Sequence, residues 1–271
     1  MLTPVLRPDH VHLWLTWPDQ VQDPKLLRSY LEILDPQERD RHGRFYFAKH
    51  RHQYLVAHAL VRCCLSRYAP LAPEAWRFQS NAYGRPELDP TCGQDLPPLR
   101  FNLSHTDGLV ACAVTRSRDI GVDVEATQRG GALLEIAERY FAPEEFADLK
   151  RLPLAAQVNR FFDYWTLKEA YIKARGMGLA LSLQHFSYQL EQQRINIRFS
   201  SALQDQAAVW QFLLLALDRG YRVALAVHNE SKVPLQLGVW QTIPMQDTQP
   251  LNWSSQLLAQ GPIPFLEAEP L

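Results

Sequence analysis

The chain has 271 residues, of which 46% are hydrophobic and 21% charged, a composition typical of a globular protein with one large or two small domains. Its formal net charge of −1 argues against bulk electrostatic binding of nucleic acid, so any phosphate site must be local. No apolar run is long enough to span a bilayer, and the first residues lack a signal-peptide pattern. Four cysteines without C-x-x-C spacing argue against zinc and fit a reducing, cytoplasmic compartment.

The first half of the chain predicts a strand, then helices, then further strands. The strands are expected at 11–17, 76–78, 101–103 and 109–114. The helices are expected over 23–34, from Asp35 onward and over 50–68. Asp-Pro pairs at 23–24 and 35–36 are helix starts, with Asp as the N-cap and Pro in the first turn. A loop rich in Pro and polar residues follows at 86–98.

The second half repeats this plan. Strands are expected at 120–125, 186–190, 210–217 and 221–227, and helices over 133–140, from Ala142 onward and over 161–175. The Ala-Pro-Glu-Glu helix start at 142–145 resembles Asp-Pro-Gln-Glu at 35–38. The sequence therefore predicts an α+β fold of two similar halves, 1–117 and 118–232. The Pro- and Gln-rich segment 233–271 is expected to be a partly ordered tail on the surface.

Two acids interrupt an apolar strand in the sequence G-V-D-V-E, Gly121 to Glu125. Alternate residues of a strand face the same side, so Asp123 and Glu125 share a face opposite the apolar residues. A divalent cation would relieve their repulsion and be bound by both carboxylates. The alternative is a half-exposed strand with solvated acids.

An acid and a cation stand one turn apart in W-T-L-K-E-A-Y-I-K, Trp165 to Lys173. Glu169 and Lys173 share one helix face with Trp165, in a segment crowded with aromatic residues. The alternative is a surface ion pair, which would be worth about 0.3–0.5 kcal/mol. Together with Asp123 and Glu125, Glu169 makes a set of three carboxylates. Such a set suits Mg²⁺, which prefers carboxylates, water and phosphate oxygens.

Several polar and basic residues could hold a phosphate. Asn102, Ser104 and His105 end a strand in F-N-L-S-H, and Arg85 lies in a turn. Arginine is suited to bidentate phosphate binding. Arg41 belongs to a basic stretch at 39–51. The alternatives are a capping turn at 102–105 and a solvated helix face at 39–51.

Four motifs in this order resemble the Sfp-type 4′-phosphopantetheinyl transferases. They are Y-G-R-P (83–86), F-N-L-S-H (101–105), G-V-D-V-E (121–125) and W-T-L-K-E-A-Y-I-K (165–173), the last continued by G-M-G-L (176–179). Each motif alone is weak, but the four with this spacing are specific. The resemblance covers roughly residues 36–227.

The resemblance implies a pseudo-twofold 4′-phosphopantetheinyl transferase fold with the active site between the halves. It implies coenzyme A as co-substrate and Mg²⁺ as metal, held by Asp123, Glu125 and Glu169. Coenzyme A phosphates would contact the residues Arg41, Arg85, Asn102, Ser104, His105 and Lys173. The resemblance makes Glu169, Lys173, His105 and Glu145 the candidate catalytic residues.

The implied reaction moves phosphopantetheine from coenzyme A to a serine of an acyl or peptidyl carrier protein and releases adenosine 3′,5′-bisphosphate. The expected partners are the carrier protein and coenzyme A, without nucleic acid or membrane, and two fused halves suit a monomer. One alternative is a Mg²⁺-dependent phosphohydrolase of coenzyme A or a nucleotide. Another is a non-catalytic module that binds coenzyme A or a carrier protein.

Overall fold

The computed structural model describes residues 5–93, 96–128 and 130–268. Its α-helices are α1 (Pro24–Ile33), α2 (Pro36–Arg44), α3 (Ala48–Leu65), α4 (Leu133–Tyr140), α5 (Pro143–Arg151) and α6 (Leu154–Arg175). Its strands are β1 (His10–Thr16), β2 (Phe78–Ser80), β3 (Pro86–Leu88), β4 (Leu99–Thr106), β5 (Leu109–Arg116), β6 (Ile120–Ala126), β7 (Phe186–Glu191), β8 (Arg194–Phe199), β9 (Trp210–Leu217), β10 (Tyr221–His228), β11 (Gln236–Thr242), β12 (Thr248–Pro250), β13 (Leu257–Gly261) and β14 (Leu266–Glu267). Parts of the predicted loop (94–95) and tail (269–271) lie outside the described residues, as does the side chain of Leu179.

The predicted Asp-Pro helix starts are confirmed. The Asp23 carboxylate accepts a hydrogen bond from the backbone N–H of Lys25 at the start of α1. At α2, Asp35 Oδ1 accepts from the Glu38 N–H at 2.9 Å, and Glu38 Oε2 accepts from the Asp35 N–H at 3.0 Å. This reciprocal capping box satisfies two N–H groups that a helix terminus otherwise leaves unpaired.

Two large sheets form the centre of the molecule. The first has the order β12-β11-β1-β5-β4, with β14 beside β11, and the second has the order β6-β10-β9-β13-β8-β7. Apolar side chains from both sheets share one buried core, to which β1 contributes Val11, Leu13 and Leu15 at alternate positions. The α+β class is therefore confirmed.

A long helix covers the outer face of each sheet. Residues of α3 pack on the first sheet around Trp14, and α1 packs against α3 in turn. Residues of α6 pack on the second sheet around Tyr171 and Phe212. The layers are thus helix, sheet, sheet and helix, and in the described residues no helix is long and apolar enough to cross a membrane.

The segment after Val233 differs from the surface tail that its composition predicts. Its strand β11 runs parallel to β1 inside the first sheet, and β13 enters the second sheet. Leu235, Leu237 and Val239 are buried in the core between the sheets. This alternation is a strand pattern, and the surrounding Gln and Pro residues masked it.

Other differences are local. The strand expected at 76–78 begins at Phe78, the helix expected from Phe161 begins at Leu154, and β8 was not predicted. The helix does end as expected, because Gly176 adopts the left-handed conformation (φ +64°) that closes a helix without a Cβ penalty.

Candidate active site between the two halves

Gly121 lets α6 lie directly on β6. A Cβ at this position would stand 1.9 Å from the carbonyl oxygen of Ala170 and 2.4 Å from the backbone N of Ala174. Because only glycine permits this approach, Asp123, on the same face of β6, comes within reach of the α6 side chains.

Lys173 joins three elements at this contact. Its Nζ donates to Asp123 Oδ1 at 2.6 Å and to Ser104 Oγ at 2.8 Å, so it connects α6 with β6 and β4. Ser104 Oγ also donates to Asp123 Oδ1 at 3.0 Å. The Asp123 carboxylate is buried, and its Oδ2 has no hydrogen-bond partner among the described residues. One carboxylate oxygen is therefore buried without a partner among the described residues.

Asn102 and Ser104 connect the two sheets. The strands β4 and β6 are edges of different sheets, and side chains of β4 bind the backbone of β6. The Val122 N–H donates to Asn102 Oδ1 at 2.9 Å, and the Val124 N–H donates to Ser104 Oγ at 3.3 Å. These bonds fix the spacing between the halves at the site.

Glu169 lies beside this group, one helical turn before Lys173. Burial, the Asp123 carboxylate and the Glu125 carboxylate raise its pKa to about 7, although Lys173 opposes them. No residue in the described ranges forms a hydrogen bond with Glu169. Glu125 accepts a hydrogen bond from Trp165 Nε1 at 3.2 Å. Burial and neighbouring negative charges destabilise an ionised carboxylate, and a bound cation stabilises it.

The donor set fits a hard divalent cation. Asp123 has an unpartnered buried oxygen, and Glu169 lies close enough to Asp123 and Glu125 for their charges to raise its pKa. Oxygen ligands of this type are preferred by Mg²⁺. As the side chains stand, however, the described residues contain no group of three His, Cys, Asp or Glu arranged to hold a metal ion. In this arrangement the Asp123 Oδ1 atom is paired with Nζ of Lys173.

His105 faces an open cavity of about 520 Å³ next to the carboxylates. The cavity is lined by Phe45, Lys49, His50, Gln53, Tyr54, His105, Thr106, Asp107 and Glu125. The His105 Nδ1 atom lies 3.2 Å from Gln53 Nε2. Partial desolvation, followed by the Lys173 ammonium, lowers the pKa of His105.

Arg41 lies in a second cavity, of about 190 Å³, on the other side of Tyr54. Its walls are Asp35, Gln37, Glu38, Arg41, Tyr54, His58, Val61, Phe78, Pro86, Phe101 and Leu103. The guanidinium carbon of Arg41 lies 5.8 Å from the centre of the Tyr54 ring. Because Tyr54 lines both cavities, the cavity of Arg41 and the cavity of His105 are neighbours.

Arg85 reaches the C-terminal end of α6. Its Nη1 donates to the carbonyl oxygen of Ala174 at 2.7 Å, and Asn81 Nδ2 donates to the carbonyl oxygen of Gly176 at 2.8 Å. Arg85 Nε is buried without a partner in the described part of the chain. The predicted turn at 83–86 therefore binds the helix that carries Glu169 and Lys173.

Glu145 is not brought to this group. Its Oε2 lies 2.7 Å from Nζ of Lys168, and both side chains are fully buried. The Glu145 carboxylate also accepts from the N–H groups of Ala142 and Tyr188. Lys168 donates to the carbonyls of Leu183 and Phe186, so the pair joins α5, α6 and β7 on another face of α6.

The structure thus brings together the predicted residues Asp123, Glu125, Glu169, Lys173, Ser104 and His105. Sequence reasoning missed Gln53, which lies on α3 four residues after Lys49 of the predicted basic stretch. Lys49 pairs with Asp107 in the β4–β5 turn, and Gln53 binds the neighbouring residues. No local pattern marks Gln53, because its partners His105 and Thr106 lie on β4.

Comparison with known proteins gives a consistent result across the chain. Residues 119–226 match the family model described as the 4′-phosphopantetheinyl transferase superfamily, and residues 17–117 match the model described as 4′-phosphopantetheinyl transferase, N-terminal. The chain is 34% identical over 220 residues to 4′-phosphopantetheinyl transferase HetI of Nostoc sp., covering 81% of this chain and 88% of that protein. It is 34% identical over 202 residues to 4′-phosphopantetheinyl transferase Sfp of Bacillus subtilis, covering 74% and 85%. A Xenopus laevis protein, L-aminoadipate-semialdehyde dehydrogenase-phosphopantetheinyl transferase, is 25% identical over 72% of this chain and 68% of its own.

Proposed function

The chain belongs to the 4′-phosphopantetheinyl transferase superfamily, and on that premise we propose that it transfers the 4′-phosphopantetheine group of coenzyme A to a serine of an apo carrier protein. It is a transferase, and the carrier is an acyl or peptidyl carrier protein. The observation that carries the assignment of residues is the group of Asp123, Lys173 and Glu169 at the contact between α6 and β6.

We propose that Asp123, Glu125 and Glu169 hold Mg²⁺. The unpartnered Oδ2 of Asp123 and the raised pKa of Glu169 support this, because both groups are stabilised by a bound cation. When bound, Mg²⁺ supplies positive charge to the pyrophosphate of coenzyme A.

The phosphates of coenzyme A would be bound along the cleft. Lys173 and His105 contact the pyrophosphate, and Arg41 stands in the second cavity, where it can reach the 3′-phosphate. Ser104, Asn102 and Arg85 act from the walls of the cleft. Each of the three also forms hydrogen bonds with protein groups. They therefore fix the geometry of the site as well as supplying hydrogen bonds to the phosphates.

The serine hydroxyl of the carrier attacks the β-phosphorus of coenzyme A, and the bond from that phosphorus to the bridging oxygen breaks. Glu169 accepts the serine proton as the general base of the reaction. The Lys173 ammonium stabilises the charge that develops on the phosphates. The products are the holo-carrier protein and adenosine 3′,5′-bisphosphate.

We propose that the carrier docks on α4 and the adjoining part of α5 and α6. Leu134, Tyr140, Leu154 and Val158 expose large apolar surface there. Apolar patches rimmed by polar residues are typical of protein interfaces.

The test is intact mass spectrometry of an apo acyl carrier protein incubated with this protein, coenzyme A and Mg²⁺. The expected result is a gain of one phosphopantetheine mass that a chelator abolishes. Magnesium-dependent loss of coenzyme A without any gain on several carriers would instead indicate the phosphohydrolase. A gain of mass that persists with chelator would retain the transferase and overturn the metal assignment.

A further inference from the structure

Gln53 makes two hydrogen bonds with one nitrogen. Its Nε2 lies 2.6 Å from the carbonyl oxygen of Thr106 and 3.2 Å from Nδ1 of His105. A backbone carbonyl only accepts hydrogen bonds, so the Gln53 atom that faces it must be the amide nitrogen. The second hydrogen of that amide then points to His105, and Nδ1 of His105 must be the acceptor.

This arrangement determines where the imidazole proton lies. A neutral histidine carries its proton on one ring nitrogen, and the hydrogen bond made by one nitrogen sets the state of the other. We propose that Gln53 is a positioning residue that holds His105 as the Nε2–H tautomer, with the Nε2–H group directed into the cleft. The role in substrate binding rests on the proposed function, because that N–H then donates to a phosphate of coenzyme A.

The charged and titratable groups around His105 agree with a neutral ring. Lys173 on α6 and His58 on α3 oppose a positive charge on the ring, whereas a hydrogen bond to the backbone of His105 and the Asp123 carboxylate on β6 favour one. Lys49, Asp107 and Glu125 line the same cavity. Partial desolvation is the largest influence, and it acts with Lys173 to lower the pKa of His105. The cationic charge of this part of the site therefore comes from lysine side chains and not from the imidazole.

A purely structural role for Gln53 is the competing explanation, because it also ties α3 to the β4–β5 turn. Lys49, one helical turn earlier, also connects α3 to the β4–β5 turn, through its ion pair with Asp107. Only Gln53 of these two contacts the imidazole. Lys49→Met is thus a matched control, since it loosens the same turn without removing the bond to Nδ1.

The experiment is long-range ¹H–¹⁵N correlation spectroscopy of the full chain with ¹⁵N-labelled histidine, without ligand, with His105→Gln to assign the resonance. We expect wild type and Lys49→Met to show His105 as the Nε2–H tautomer near neutral pH. Gln53→Met should show a mixture with the Nδ1–H tautomer. A His105 that is Nδ1–H in wild type, or that is unchanged in Gln53→Met, would overturn the inference, as would an equal change in Lys49→Met.

Calorimetric titration with coenzyme A separates this inference from the proposed function. Gln53→Met should bind coenzyme A about two- to tenfold more weakly than wild type, the size of one neutral hydrogen bond. Equal affinity in spite of a changed tautomer would overturn the role of Gln53 in substrate binding. If wild type shows the expected tautomer but binds no coenzyme A, the Gln53–His105 relationship stands and the proposed function fails.

Discussion

Lys173 on α6 and Asp123 on β6 form an ion pair with 2.6 Å between Nζ and Oδ1. The same ammonium binds Ser104 on β4, so a single cation meets both halves of the molecule. Without Lys173, the buried Asp123 carboxylate would accept a hydrogen bond from Ser104 alone among the described residues. The pair therefore both organises the site and places a positive charge where phosphate oxygens are expected.

Replacement of Lys173 by Met should lower kcat/KM for carrier modification by about 100- to 1000-fold, because a preorganised cation at the developing charge is lost. Steady-state assays with varied coenzyme A would measure this. Lys25→Met is the control, since Lys25 is exposed on α1, outside the candidate site and the proposed docking surface. A loss below tenfold would contradict the role of Lys173.

Stability in chelator should depend on pH through Glu169. The pKa of its carboxyl is raised from 4.5 to about 7, so the folded protein keeps a proton that the unfolded chain has released within this window. Stability contributed by the protonated group is therefore lost as pH rises from 4.5 through about 7, by about 2–3 kcal/mol. Urea unfolding of wild type and Glu169→Gln at several pH values would show the difference, since the variant cannot titrate.

Added Mg²⁺ should offset this loss in wild type at pH 7–8, because a ligand that binds only the folded state stabilises it. Glu169→Gln should respond less, having lost one carboxylate. If the free energies of unfolding of the two proteins in chelator change with pH in the same way, Glu169 does not titrate as the structure indicates.

Gly121→Ala should separate α6 from β6. The new Cβ would overlap the backbone of Ala170 and Ala174, neither of which is a flexible side chain. We expect a loss of about 3 kcal/mol in the free energy of unfolding, with weak residual activity in the folded fraction. Gly43→Ala is the control, because a Cβ there meets nothing within 4 Å in the helix α2. A Gly121→Ala protein as stable and active as wild type would disprove the close approach.

Glu145→Gln tests whether this acid acts in chemistry or in packing. Its pair with Lys168 is fully buried, and removal of one partner leaves an uncompensated charge, at a cost of about 3–5 kcal/mol. Chemical denaturation would measure this loss, and Glu138→Gln, at an exposed position on α4, should change stability little. The turnover of folded Glu145→Gln should exceed that of Glu169→Gln. The reverse order would favour the catalytic role implied by the family resemblance.

The site was largely predictable because its signals are local. Two-residue alternation placed Asp123 and Glu125 on one face of β6, and four-residue spacing placed Glu169 and Lys173 on one face of α6. The environment of Glu145 was not predictable from such spacing, because its partner Lys168 belongs to a different helix. Gln53 was missed for the same reason: its partners lie on β4, more than fifty residues away.

Most helices and strands up to Val227 were predictable, except β3 and β8, and the strands beyond Val227 were not. Strand β11 is apolar at alternate positions, but its place beside β1 depends on a pairing between residues more than two hundred positions apart. Local composition cannot reveal such a pairing, and the Gln and Pro residues around β11 favoured a different interpretation.

The position of β11 also orders events during protein synthesis. Strand β1 is flanked by β5 on one edge and by β11 on the other, so one edge finds its neighbour early and the other waits until residue 242 has been made. While the ribosome translates the second half, the nascent first half presents an unpaired strand edge, the type of surface that recruits chaperones or associates with other chains. That edge can close only after β11 has been made, because β11 is its partner strand.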